Sequence, residues 1–184
     1  MLVLVQLQSW TQTTKCGGIF NSTALCYTKG MQHKKDFSYG VIPVKKFGDQ
    51  WKVFLIHQYS RIGQNTYWIL PKGHPIEDES PKETAERELR EETGMKAEPL
   101  LDGPQFELKY KFKFENEMID KMVVFYLGVI EQKNYQLEET EVVEAGWYSL
   151  EEAGERLDYK NAKDMFVLVK DFITSGKLDD ILQN

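Results

Sequence analysis

The sequence predicts a mixed α/β (α+β) domain in which strands and helices interleave around one mixed sheet. Three observations carry this. From Phe106 to Phe114 the chain alternates strictly, with Phe106, Leu108, Tyr110, Phe112 and Phe114 on one side and Glu107, Lys109, Lys111 and Lys113 on the other. That period of two belongs to a strand. Ser80 to Thr93 carries helix start and stop signals at its two ends. Met122 to Ile130 is an unbroken apolar run of strand length, as a central strand covered on both faces requires.

In chain order, residues 1–35 mix Thr, Gln, Ser and Gly with scattered apolar residues and hold no period. They are expected to form an N-terminal extension, part of it able to pair as an edge strand, ahead of a domain over 36–184. Tyr39–Val44 and Trp51–His57 read as strands around the turn signal Gly48-Asp49. Tyr67–Leu70 is a short third strand stopped by Pro71. The helix over Ser80–Thr93, the alternating strand and the central strand follow, then a short strand over Ala145–Leu150. A closing helix over Ala162–Ile173 sets Met165, Phe166, Val169, Phe172 and Ile173 at helical spacing.

Composition bounds the function. The 184 residues are 41% hydrophobic and 28% charged, and carry a net charge of −6. These are the values of a globular chain, and the acidity argues against a bulk electrostatic binder of DNA or other nucleic acid. It leaves room for an anionic substrate if divalent metal lies between the negative charges. Cys16 and Cys26 form neither a disulfide framework nor a zinc pattern and read as free thiols of a reducing compartment. No apolar run approaches the ~18 residues of a membrane span, and Met1–Leu7 lacks the features of a secretory signal. A cytoplasmic protein without a membrane partner is expected.

Chemistry concentrates between Pro71 and Met95. Ser80 is an N-cap, Pro81 occupies the first helical position, Glu83 completes a capping box and Gly94 ends the helix. Ala85 and Leu89 turn toward a core. Glu88, Glu91 and Glu92, spaced i, i+3 and i+4, converge on another face. Such a cluster either is a solvated face relieved by Arg87 and Arg90, or holds hard divalent cations, which take clustered oxygen ligands. Lys72-Gly73 enters the loop before the helix, where a glycine lets backbone pass close to whatever the carboxylates hold. Glu79 and Arg87 can brace that loop by opposite charge.

These residues, Gly73, Glu79, Arg87, Glu88, Leu89, Glu91, Glu92, Gly94 and Met95, match every specified position of the Nudix hydrolase signature at the correct spacing. The chain therefore resembles that family. The resemblance implies an α/β/α sandwich and metal-dependent hydrolysis of a nucleoside diphosphate linked to another group. Mg2+ is the implied cofactor, with Mn2+ as a substitute. It implies Glu88, Glu91 and Glu92 as metal ligands, joined by the Lys72 carbonyl, and Glu79–Arg87 as the bracing pair. Many members add one carboxylate from outside the helix as base or ligand. Among Glu138–Glu144 the favoured residue is Glu141, six before Trp147, with Glu144 in reserve. Catalytic roles then fall to Glu91 and Glu141, supported by Glu79 and Arg87.

The flanks point to a subfamily. Tyr67–His74 (YWILPKGH), Tyr110 placed 16 residues after Gly94, Ala145–Ala153 and Tyr159-Lys160 resemble asymmetrical diadenosine tetraphosphate hydrolases. The implied partner is a small nucleotide with two bases and a long anion. Tyr110 and Tyr159 are stacking candidates, and Lys72, Lys109, Lys111 and Arg61 are phosphate candidates. Tyr110 shares its side with Phe106, Leu108 and Phe112 and is equally readable as core. Lys109 and Lys111 are equally readable as a solvated face. The runner-up is an RNA 5′-pyrophosphohydrolase, expected to show more basic surface. Hydrolysis of oxidised nucleotides or nucleotide sugars, and a non-catalytic nucleotide-binding module, complete the alternatives. Oligomeric state is open.

Overall fold

The computed structural model describes residues 32–60, 65–98, 100–132 and 134–183. Arg61 and residues 1–31 lie outside the described residues. The strands are β1 (Gln32–Phe47), β2 (Gln50–Tyr59), β3 (Thr66–Ile69), β4 (Lys72–Gly73), β5 (Leu100–Phe114), β6 (Glu117–Val129) and β7 (Val142–Ser149). The helices are α1 (Pro81–Thr93), α2 (Leu150–Arg156), α3 (Lys160–Thr174) and α4 (Lys177–Leu182). One mixed sheet runs β3-β2-β1-β6-β5, with β4 on β1 and β7 on β2. The β1–β6 pair is parallel, from Gln32↔Glu117 to Val44↔Val129, and every other pair is antiparallel.

The strand period sorts side chains into two cores. Ile42, Val44, Leu55, Phe125 and Leu127 face α2 and α3, meeting Ala153, Leu157, Phe166 and Val169. Val41, Phe54, Ile56, Val124 and Tyr126 face α1, meeting Ala85 and Leu89. Helices thus cover both faces of the sheet, and each large side chain so buried contributes about 1.5–3 kcal/mol. Among the described residues no helix is long and apolar enough to cross a membrane.

The elements read from the sequence are all present, and three are longer than their apolar runs. β1, β5 and β6 continue into a three-stranded ribbon over residues 32–38, 108–114 and 117–123, held by backbone ladders where polar residues break the hydrophobic pattern. Residues 32–35, read as the end of the extension, are the first rungs of β1. The two-residue strand β4 and the short helices α2 and α4 carry too little period to be read. α2 does have a capping box, Ser149 with Glu152.

Candidate metal and nucleotide site

α1 is fixed at both ends as its sequence dictates. The Ser80 side chain accepts from the Glu83 amide, and the Glu83 carboxylate accepts from the Ser80 amide at 2.8 Å. Those bonds hold Glu83 below the usual carboxylate range. Gly94 takes φ 67° and donates to the Arg90 carbonyl at 2.8 Å. Its left-handed conformation turns the chain back so that Gln136 and Glu138 donate to the Thr93 and Glu92 carbonyls. The acidic segment that follows is thereby anchored on the C-terminus of α1.

Arg87 is the hub of the loop before α1. Its Nε and Nη2 donate to the two oxygens of Glu79 at 2.7 and 3.1 Å, a bidentate pair. Nη2 also donates to the His74 carbonyl at 2.8 Å, and Nη1 donates to Glu88 at 2.9 Å and Glu91 at 2.7 Å. Glu79 accepts further from the Ile76 amide and the Thr84 hydroxyl. The Arg87 bond, aided by these donors, holds the Glu79 carboxyl down at about 2. The same contacts fix Arg87 in its charged form. Glu79 and Arg87 are thus joined as the bracing pair the sequence suggested.

Glu88, Glu91 and Glu92 share one side of α1 but differ in environment. Glu91 is exposed, while Glu88 and Glu92 are buried. Glu88 packs against Gly73 so closely that a Cβ there would overlap its carboxylate, which is why this position takes glycine. Glu92 accepts from the Lys72 amide at 3.0 Å and from Gln58 Nε2 at 2.9 Å. Burial pushes it up to about 8, against the pull of the Lys72 ammonium. Gln58 Nε2 also donates to Glu141 at 3.1 Å, so one amide spans a carboxylate of α1 and one from the acidic segment that follows it. Glu144 instead faces His57 at 3.4 Å.

The donor set is entirely hard oxygen, and a buried carboxyl that burial holds toward its protonated form is one whose ionised form a divalent cation would stabilise. The chemistry therefore fits Mg2+ or Mn2+. As the side chains lie, no three Asp, Glu, His or Cys residues among those described surround a common point, because Arg87 holds Glu88 and Glu91.

On the α3 side of the sheet, Asp36, Lys121 and Tyr110 form one rung across β1, β6 and β5. Lys121 is buried and reaches Asp36 at 2.8 Å, Ser38 at 2.7 Å and His74 Nε2 at 2.9 Å. Burial of Asp36 is outweighed by its bonds to Lys121 and His74, and its carboxyl lies below the usual range. Burial raises Tyr110, with Asp36 adding to it. Tyr159, half-exposed at the start of α3, packs its ring against Tyr67 with centroids 4.9 Å apart and the planes tilted by 34°. Burial raises it too, and Tyr67 and Tyr110 are near enough to add to the shift. The three tyrosines and the Lys121 cluster thus line one region.

Lys109 and Lys111 flank Tyr110 on β5 and border one cavity with it and Lys121, but their side chains face the other way. The β5 alternation that turns Tyr110 toward α3 turns both lysines to the other face, where Lys109 meets Glu107 at 2.5 Å and Lys111 meets Asp120 at 3.0 Å. Gln58, Asp36, His74 and Lys121 were not singled out as site residues from the sequence. The usable signal was a lone lysine at the mouth of the apolar run Met122–Ile130, since a buried lysine must be paired.

A braced loop-helix-loop presenting carboxylates beside β2 and β4 defines a nucleotide-hydrolase type of scaffold. Residues 35–172 match the NUDIX domain. The chain belongs to the NUDIX family. It is 34% identical over 100 residues to the mouse asymmetrical bis(5′-nucleosyl)-tetraphosphatase, covering 53% of this chain and 65% of that one. It is 30% identical over 125 residues to the ADP-ribose pyrophosphatase of Bacillus subtilis (strain 168), covering 68% and 66%. The matches thus span just under two thirds of these relatives. In fold it is similar to a C. elegans Ap4A hydrolase binary complex, with TM-score 0.61 and 19% identity over 76% of this chain and 98% of that one. It is also similar to the NUDIX domain of Shewanella oneidensis NrtR complexed with ADP ribose, with TM-score 0.60 and 17% identity over 79% and 92%.

Proposed function

We propose that this chain is a metal-dependent hydrolase that cleaves a phosphoanhydride bond in dinucleoside polyphosphates, taking diadenosine tetraphosphate to ATP plus AMP by attack of water on phosphorus. The observation that carries the reading is the Gln58 amide spanning Glu92 and Glu141 beside the Glu88–Gly73 contact, which gathers carboxylates where polyphosphate chemistry needs cations. Glu88, Glu91, Glu92 and Glu141 would hold Mg2+ or Mn2+, with the Lys72 carbonyl. A bound ion supplies neutralisation of the phosphates and acidifies a water. Gln58 donates to Glu141 Oε2 and so orients that carboxylate, whose other oxygen would take a proton. Glu79 and Arg87 keep the loop rigid so that Gly73 and Glu88 stay in contact. Lys121, held by Asp36 and His74, presents positive charge beside Tyr110, and Tyr67 and Tyr159 offer aromatic faces to a base, where stacking contributes about 1–3 kcal/mol.

The similarity to the mouse tetraphosphatase supports this substrate over ADP-ribose, which is served by the B. subtilis relative at lower identity. Turnover of the two compounds with Mg2+ tests it. Diadenosine tetraphosphate is expected to give the higher kcat/KM, and a preference for ADP-ribose would overturn the assignment. One observation favours a second reading, hydrolysis at a triphosphorylated RNA 5′ end: four lysines, Lys35, Lys109, Lys111 and Lys113, share one face of the ribbon.

A further inference from the structure

The ribbon of β1, β6 and β5 extends past α1, and its α1-side face is left open. Two complete rungs, Phe37–Met122–Lys109 and Lys35–Asp120–Lys111, line a cavity of about 490 Å³ together with Tyr110 and Lys121 of the rung between them. The next rung adds His33 and Lys113 across Met118. This face carries Lys35, Lys109, Lys111 and Lys113 against only Glu107 and Asp120, in a chain of net charge −6. Among the described residues no ion pair engages Lys35 or Lys113. Phe37 is 40% exposed at the centre, an aromatic ring framed by ammonium groups.

We propose that this face binds the phosphate backbone of single-stranded RNA, with Phe37 as a platform for one base. Aromatic rings interleaved with lysines are the combination that single strands recognise, by stacking and phosphate contact without base readout. Charge complementarity selects the occupant. Residues 1–31 of this chain contain Lys15 and Lys29 and no carboxylate, so they do not complement the face. The face also lies near the carboxylates. Phe37 is two residues from Tyr39, about 7 Å along β1, and Tyr39 pairs with Gly73, against which Glu88 packs. An oligonucleotide whose 5′ phosphates occupy the carboxylate site has its following nucleotides within reach of this face. RNA is the strand that carries a 5′-terminal phosphoanhydride from its synthesis, so the choice of RNA rests on the second reading above, while the binding face does not.

The test separates the two. A labelled twelve-nucleotide RNA with a 5′-hydroxyl is titrated by fluorescence anisotropy without divalent metal, so hydrolysis plays no part. Three phosphate contacts predict affinity falling about 20-fold from 50 to 200 mM salt. The Lys35→Glu/Lys113→Glu variant should flatten that dependence, and Phe37→Ala should weaken binding about tenfold at either salt. With a 5′-triphosphorylated twelve-mer as substrate, KM should rise at least about tenfold in the double variant, while diadenosine tetraphosphate turnover stays unchanged. Binding of the 5′-hydroxyl RNA without cleavage of the triphosphorylated one would remove the second reading and keep the face. Wild-type RNA affinity in both variants would overturn the proposal. So would loss of a dimer in the lysine variant by analytical ultracentrifugation with RNA binding intact, which would give the face to a second copy of the chain.

Discussion

Glu92 illustrates how environment sets a residue's work. Its ordinary value is 4.5, and burial pushes it up to about 8. A carboxyl that binds its proton more tightly when folded loses the protein stability as pH rises from about 4.5 to about 8. A divalent cation on that carboxylate cancels the loss, so Mg2+ should raise Tm more at pH 8 than at pH 5. Scanning fluorimetry at both pH values measures this, and equal shifts would remove Glu92 from the ion's ligands. Tyr110 poses the opposite question, core or contact. Its ring packs at the margin of the α3-side core and beside Asp36. Tyr110→Ala is expected to raise KM for the dinucleotide about tenfold or more while kcat moves only a few-fold. A fall in Tm with KM unchanged would return Tyr110 to the core. The carboxylates of α1 were legible because local spacing alone places them on one side. Gln58 was not, since its role depends on meeting Glu92 and Glu141 from 34 and 83 positions away.

Among the elements, α1 was the most legible and β4 the least. Both caps of α1 are local chemistry, and the structure reproduces each. β4 is two residues whose strand character comes wholly from pairing with Tyr39 and Gly40. Yet β4 sets the site, because it presses Gly73 against Glu88 and points the Lys72 amide at Glu92. Gly73→Ala should therefore cost about 1–3 kcal/mol by overpacking, seen as a lower Tm, and should depress turnover as Glu88 is displaced. A variant with wild-type Tm and rate would show that the contact yields freely. β5 was legible as a strand, and the alternation that predicted it sets Tyr110 on one face and Lys109 and Lys111 on the other, a consequence of period two that applies to any strand offered as one binding surface.

Across the whole molecule, strands buried on both faces and helices on either side follow from apolar runs and periodicity, and the mixed α/β class was readable for that reason. Topology was not. The parallel β1–β6 pairing joins segments 85 positions apart, and no local signal encodes it. That pairing brings Asp36 to Lys121 and builds the ribbon. The NUDIX match begins at residue 35, so removing residues 1–30 is expected to leave turnover within roughly twofold. An inactive or insoluble product would show that this segment supports the domain.

The most direct measurement is hydrolysis of diadenosine tetraphosphate in 18O-enriched water with Mg2+, the products being separated and weighed by mass spectrometry. ATP and AMP in equal amounts, with one 18O atom in the phosphate of one of them, are the predicted result. Two molecules of ADP, or intact substrate in the presence of folded protein and metal, would contradict the account.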